Sequence, residues 1–294
     1  FGAFPLPQNP DHAGHGAPHL AGRDPAKLFA ELRAQFPDAL LNVHHPRIDA
    51  EIGYFTIGRF DPRTDRADRP GFSLDFDALE VLNGYQDSER RSVDRLIDDW
   101  FALLNHGHLV TATGNSDTHH QNNNIGGYPR NYIALADDRP LGVRAIDVAR
   151  ALKARRSFFT TAPFVKLQVA GGQPGDLVPL RGDSTSIELE VLAAPWVTVN
   201  RVIVYLNGQE AQRVAVPPST EPLRLRTALP IRIQRDTFVV VRVDGDQPLA
   251  PIVGDRRRFD VRPLALTNPV FLDRDGNGRF DALAAPRPGF FRRR

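Results

Sequence analysis

Apolar positions in the first half of the chain fall alternately at helical spacing and in short continuous runs. Leu28, Phe29, Leu32 and Phe36 line one face of a helix that Asp24 caps, Pro25 opens and Pro37 ends. "ALLNV" (Ala39 to Val43) is a buried-strand run, and Pro46 in "HHPR" pushes His45 out of helical conformation, predicting an extended strand end there. After the charged loop "FDPRTDRADRPG" comes a second apolar run, "ALEVLNG". Val93, Leu96, Ile97, Trp100, Phe101 and Leu104 mark a second helix, and "LVTAT" a third strand. "YIAL", a helix from about Val143 to Arg155, and "SFFTT" continue the series. Such alternation predicts parallel α/β organisation with functional loops at the C-terminal ends of the strands.

Beyond Pro163 the texture changes. "KLQV", "SIELEVL", "VIVYLNG", "RLRTALPIRI" and "TFVVVRVDG" alternate apolar and polar residues between turn signals, as in an all-β sandwich. The expected organisation is an α/β unit over 1–163, a β-sandwich over 164–265 and a tail over 266–294. A complete (β/α)8 barrel takes ~250 residues, so the α/β unit amounts to about half of one.

Composition narrows the partners. Of 294 residues, 41% are hydrophobic and 24% charged, which is enough for a sizeable core. The formal charge is +2, and apart from the terminal "FFRRR" no basic run interleaves with aromatics, so no nucleic-acid partner is expected. No apolar run approaches the ~20 residues of a membrane-spanning helix, and no signal-peptide pattern opens the chain. Cysteine is absent, which excludes disulfides and thiolate metal sites. Methionine is absent too, so a processed product or fragment of a longer protein is expected.

Chemistry concentrates in "GNSDTHH" and "NVHHPR". Asp117 and His119 follow a predicted buried strand, and on extended backbone alternate side chains share a side, so carboxylate and imidazole can meet at one point. That pair suits Zn, Mn or Fe. The plain alternative is an Asx-turn with a solvated histidine. His45, at another strand end, is placed to join them, with Arg47 beside it as an oxyanion clamp, while His44 and His120 point elsewhere. His12, His15 and His19 lie in a Gly/Pro loop and read as loop histidines.

In this order, "NVHHPR", "FDALEVLNG", "GHLVTATGNSDTHH", "RSFFTTAPF" and "NPVFLDRDGNGRFDA" resemble the C-terminal two-thirds of a PHP-domain metallohydrolase of the CehA/McbA-like branch. The resemblance spans nearly the whole chain, with Ala162 where the family's threonine-X-glycine-proline segment has glycine. It implies a PHP-type barrel with two or three metal ions at its mouth and hydrolysis of phosphoesters or related esters. His45, Asp117 and His119 match metal ligands, and Glu80 a characteristic acidic position that equally suits a buried, hydrogen-bonded glutamate. The family's His-x-His and further early ligands have no counterpart here, so a preceding segment is expected to complete the site. The implied mechanism is attack by a metal-activated water on a small-molecule phosphoester, with Arg47 or Arg130 stabilising developing charge.

"DRDGNGRFD" places Asp273, Asp275, Asn277, Arg279 (through its carbonyl) and Asp281 at EF-hand-like positions, with Ala284 where the bidentate glutamate belongs, so weak, structural calcium binding is the expectation. The loop, the sandwich and the resemblance lean towards an extracytoplasmic location. A second function class stands beside the hydrolase: a non-catalytic module whose β-sandwich recognises a polymer or protein partner. No G-x-S-x-G elbow is present to suggest a serine hydrolase.

Overall fold

The computed structural model describes residues 1–9, 11, 16, 18–19, 22–47, 53–84, 90–119, 125–254 and 260–284, the side chains of 90–92 excepted. His12, His15 and His120 lie outside the described residues, and His19 is exposed. In chain order the first half carries β1 (Gly2–Phe4), α1 (Pro25–Gln35), β2 (Leu40–Val43), α2 (Tyr54–Gly58), β3 (Phe60–Asp61), β4 (Arg66–Ala67), β5 (Ala78–Asn83), α3 (Arg90–Asn105), β6 (Thr111–Asn115), β7 (Arg130–Ile133), α4 (Ala145–Lys153) and β8 (Ser157–Thr160). The second half carries β9 (Phe164–Val169), β10 (Leu177–Pro179), β11 (Ser184–Leu192), β12 (Arg201–Leu206), β13 (Gln209–Ala215), β14 (Leu223–Arg232), β15 (Thr237–Asp244), β16 (Leu264–Thr267) and β17 (Val270–Asp273).

Local chemistry explains the first elements. The Asp24 side chain accepts a hydrogen bond from the Ala26 amide at 3.0 Å, Pro25 sits in the first turn, and α1 buries Leu28, Phe29 and Leu32. The stripe of α3 buries Val93, Leu96, Ile97, Trp100, Phe101 and Leu104, and the Trp100 indole N–H is satisfied by the Val110 carbonyl at 2.8 Å.

The first sheet has the order β1-β2-β5-β6, with β2, β5 and β6 parallel and β1 antiparallel. Here the expected succession ends. β7 and β8 do not extend this sheet; they pair antiparallel with each other, and β8 pairs with β16. They belong to an eight-stranded sheet, β10-β17-β15-β16-β8-β7, which β12 and β13 join beside β15. A third sheet, β14-β11-β9, lies opposite. The chain is therefore mixed α/β and rich in sheet, and among the described residues no sheet closes into a barrel.

What replaces the next parallel strand beside β6 is a pair of asparagine side chains. Asn268 accepts from the Ala112 amide at 2.8 Å and donates to the Ala112 carbonyl at 3.0 Å. Asn131 does the same for Gly114, at 3.0 and 2.8 Å. Residues two apart in a strand turn their backbone polar groups to the same edge, so the two amides satisfy successive outward-facing positions. Gly114 is required there, because a Cβ would stand 2.9 Å from the Phe159 ring.

β15 is buried along its whole length, and its two faces serve different cores. Phe238 and Val240, with Leu264, Leu266 and Phe271, pack into the same cluster as the α3 stripe and the first sheet. Val239, Val241 and Val243 pack with Val165, Leu189 and Val191 of the third sheet. The order of layers is thus first sheet, α3, eight-stranded sheet, third sheet. A strand buried on both faces needs a continuous apolar run, which "FVVV" supplies.

Candidate functional site

β2 and β6 flank β5, and two residues past the end of each flanking strand stands a predicted ligand, His45 and Asp117. The His45 Nε2 lies 3.8 Å from Asp117 Oδ1. Beneath them, on the central strand, Glu80 is buried. It sits where the β5–β6 register shifts, between Glu80 and Leu82. Glu80 Oε2 accepts from the His45 amide at 2.8 Å and stands 3.1 Å from His45 Nδ1, and Oε1 accepts from Asn115 Nδ2 at 2.9 Å. Asn83 donates to Glu80 Oε2 at 3.1 Å and also lies 3.0 Å from His45 Nδ1. With Nδ1 donating to the carboxylate, the Nε2 lone pair is the one presented to Asp117.

The electrostatics follow from this packing. Burial pushes the Glu80 carboxyl up, but the nearby His44 imidazole and the hydrogen bonds from His45 and Asn115 together outweigh it and hold the group well below the ordinary carboxylate range. The hydrogen bond to Glu80 raises the His45 imidazole above its ordinary value, against an opposing effect of burial. His44 also reaches Glu80, at 3.8 Å, so it shares the carboxylate rather than pointing away from it.

The backbone here is not extended. His45 has φ 50° and Asp117 has φ 51°, both in the left-handed region that few non-glycine residues occupy. At His45 this conformation accompanies the amide bond down to Glu80. At Asp117 it breaks the alternation that would have aligned His119, whose Nδ1 turns back to the Asp117 carbonyl at 2.7 Å and lies 3.5 Å from its Oδ1. Among the described residues, the His/Asp/Glu set whose ligand atoms lie within 4.8 Å of one another is elsewhere, so His45, Asp117 and His119 do not form a closed three-ligand group.

The two arginines are engaged by other partners. Arg47 is ion-paired with Asp99 of α3, donates to the Phe60 carbonyl at 3.2 Å and lies over the Phe55 ring. It lines a charged cleft of about 500 Å³ with Arg63, Arg95 and Asp94 rather than the His45–Asp117 pair. Arg130 lies over Tyr128 and Tyr132 and donates to the Gly127 carbonyl at 3.1 Å. Its neighbour Asn131 bonds the end of β6.

The EF-hand-like loop is ordered largely by its own polar groups. The Asp273 carboxylate receives the amides of Gly276, Asn277 and Gly278 at 2.6, 3.2 and 2.8 Å. Asn277 bridges Asp275 and Asp281, and the Arg279 guanidinium pairs with Asp281 at 2.9 Å. The carboxylates that converge are Asp275 and Asp281 with buried Asp236. Sequence reasoning missed Asp236 because it precedes β15, far from the loop, where a lone acid carries no spacing signal.

No family model matches the chain, and no curated protein matches it. Among solved structures, a crystal structure of an engineered protein is similar at 15% identity and a TM-score of 0.23, covering 38% of this chain and 20% of the engineered one, which is too slight a likeness to inform the fold. Among the described residues no helix is long and apolar enough to cross a membrane.

Proposed function

We propose that the chain is part of a metal-dependent hydrolase of the phosphoesterase type, as the resemblance to PHP-domain enzymes implies. The observation that supports this reading most is the His45–Asp117 approach at 3.8 Å over a buried carboxylate that orients the imidazole. The donor set fits a divalent transition metal: an imidazole with its Nε2 lone pair presented, a carboxylate opposite, and a carboxylate on the far ring nitrogen to raise its basicity. His45 and Asp117 would hold the ion, with His119 as the third ligand if its ring turns from the Asp117 carbonyl, and further ligands from a preceding segment. Such an ion supplies an activated water at neutral pH and a positive charge for the phosphoryl oxygens.

The chain's own residues have separate tasks. Glu80 fixes the His45 tautomer, Asn83 and Asn115 hold Glu80, and Arg130 is the proposed cation for the substrate anion. Arg47 is proposed as a pin between the His45 loop and α3 instead, because Asp99 already holds it. Calcium at Asp236, Asp275 and Asp281 is proposed as a structural ion; millimolar calcium is expected to raise the melting temperature of wild type and not that of Asp275→Ala.

The deciding experiment is elemental analysis of the purified chain after exposure to zinc and manganese, beside Asp117→Ala and His45→Ala. Stoichiometric transition metal in the first, lost in both variants, is expected. Equal metal in all three, or none in wild type, rejects the assignment.

A further inference from the structure

The third sheet has two margins, and the chain finishes them differently. At one, β14 carries Pro230, which has no N–H, and the Pro230 carbonyl accepts from Gln212 Nε2 at 2.6 Å. At the other, β9 pairs with β11 on one side only. Val169, its last residue, exchanges two hydrogen bonds with Gly172, both of 2.9 Å. They close a two-residue turn in which Ala170 and Gly171 both have positive φ, 50° and 82°. A hairpin return therefore begins beside β9, and it stops at once. Pro174 cannot donate to a ladder, and the Gly175 amide goes to the Pro269 carbonyl at 2.8 Å instead.

The abandoned return leaves an open edge. Backbone groups along a strand face its two sides alternately, so Leu167 and Val165, like Val169, turn their N–H and C=O away from β11. Among the described residues neither has a strand partner on that side. Below this edge the eight-stranded sheet runs on. β9 packs over β16, and the next strands in order, β8 and β7, line the cleft beside it with Phe158, Tyr132 and Ala134. Phe164, at the start of β9, sits edge-on against the stacked rings of Tyr132 and Phe158. Strands lie about 4.8 Å apart, so this ledge has the width for one added strand. A second copy joined through β9 would bring its own β8 and β7 into the same space.

Position by position, the edge dictates what the added strand must be. Only a polypeptide repeats N–H and C=O at the spacing of Leu167 and Val165. Cross-strand partners share a face, so residues opposite those two turn their side chains down onto the ledge of Tyr132 and Phe158 and are apolar. The residue between them faces outwards, opposite Lys166, whose side chain is 62% exposed. There Arg226, Glu190 and Lys166 alternate in charge along one rung, at 2.8 and 3.4 Å, and an acid is the next member of the series.

We propose that the open edge of β9 captures an extended segment of a partner protein, with the pattern apolar, acidic, apolar, as a fourth strand of the third sheet. It runs antiparallel to β9 in the lane that Gly172 begins. The test is fluorescence anisotropy of the full chain with a labelled peptide of sequence Thr-Val-Glu-Val-Thr. Saturable binding is expected. N-methylation of both valines removes the N–H groups aimed at β9 and should weaken binding about tenfold or more, whereas N-methylation of the glutamate, whose N–H faces away, should leave it unchanged. Lys166→Glu is expected to weaken this peptide about tenfold and to bind Thr-Val-Lys-Val-Thr in its place, which also shows that the variant is folded. Absence of saturable binding, indifference to N-methylation of the valines, or equal binding of the two peptides by both proteins overturns the proposal. So does a dimer of the chain that the peptide dissociates, since a second copy would then occupy the edge.

Discussion

Glu80 shows how a single buried side chain can set the chemistry above it. Its folded pKa is depressed, so the stability it contributes is complete above the ordinary glutamate value of about 4.3 and is lost as pH falls through the folded value. The His45 pKa is raised, so its contribution is complete below about 6.5 and is lost as pH rises through the folded value. In the metal-free protein the pair therefore stabilises most between roughly pH 4.3 and 6.5. Glu80→Gln is expected to cost about 2 kcal/mol at pH 5.5 and less at pH 8, read from urea unfolding. It should also bring the His45 titration, followed by NMR, back down towards its ordinary value. The position of His45 and Asp117 just past strand ends was legible in the sequence because both follow apolar runs that end in polar loops. It hid the left-handed conformation of both; at His45, no local pattern announces that a backbone amide will turn down to a carboxylate thirty-odd positions away. The same conformation removed the alternation on which alignment of His119 depended.

At the scale of elements, α1, α3, α4 and the three parallel strands were readable because each buries one face or one continuous run close to its own caps and turns, whereas the single turn-and-a-half of α2 was not predicted. β7 and β8 were seen as strands but assigned to the wrong sheet, since an apolar run does not name its partner. Their antiparallel pairing is fixed by β16, more than a hundred residues on. The asparagine that seals β6 illustrates the same non-local logic. Asn268→Ala is expected to leave the buried Ala112 amide and carbonyl unsatisfied and to cost about 2–4 kcal/mol in a denaturant titration. Gly114→Ala should cost about 1–3 kcal/mol by driving a methyl group into the Phe159 ring.

For the whole molecule, the shared core matters more than the change of texture at Pro163. The alternation expected of "TFVVVRVDG" is not found: β15 is buried at every position, and the continuous run "FVVV" was the available sign that it is covered on both sides. Arg242 on β15 pairs with Asp94 of α3 at 2.6 Å and with buried Asp244 at 2.9 Å. Removing it in Arg242→Ala is expected to cost about 1.5–3 kcal/mol, because buried Asp244 loses one of its two arginine partners and keeps Arg201 at 3.0 Å. Thermal unfolding of the full chain should show one transition, coincident by far-ultraviolet and near-ultraviolet circular dichroism. A fragment ending at 163 should lack a cooperative transition, since Phe238, Val240 and Phe271 would be missing from its core.

The two asparagines on β6 also give the first sheet a direction of growth. Any strand arriving at the β6 side would have to evict both side-chain amides, breaking four hydrogen bonds before making its own. Among the described residues no side-chain amide seals the β1 margin in this way. If this sheet is enlarged by another segment of polypeptide, growth at the β6 margin, and with it closure of a ring, requires first unlocking the molecule at Asn131 and Asn268.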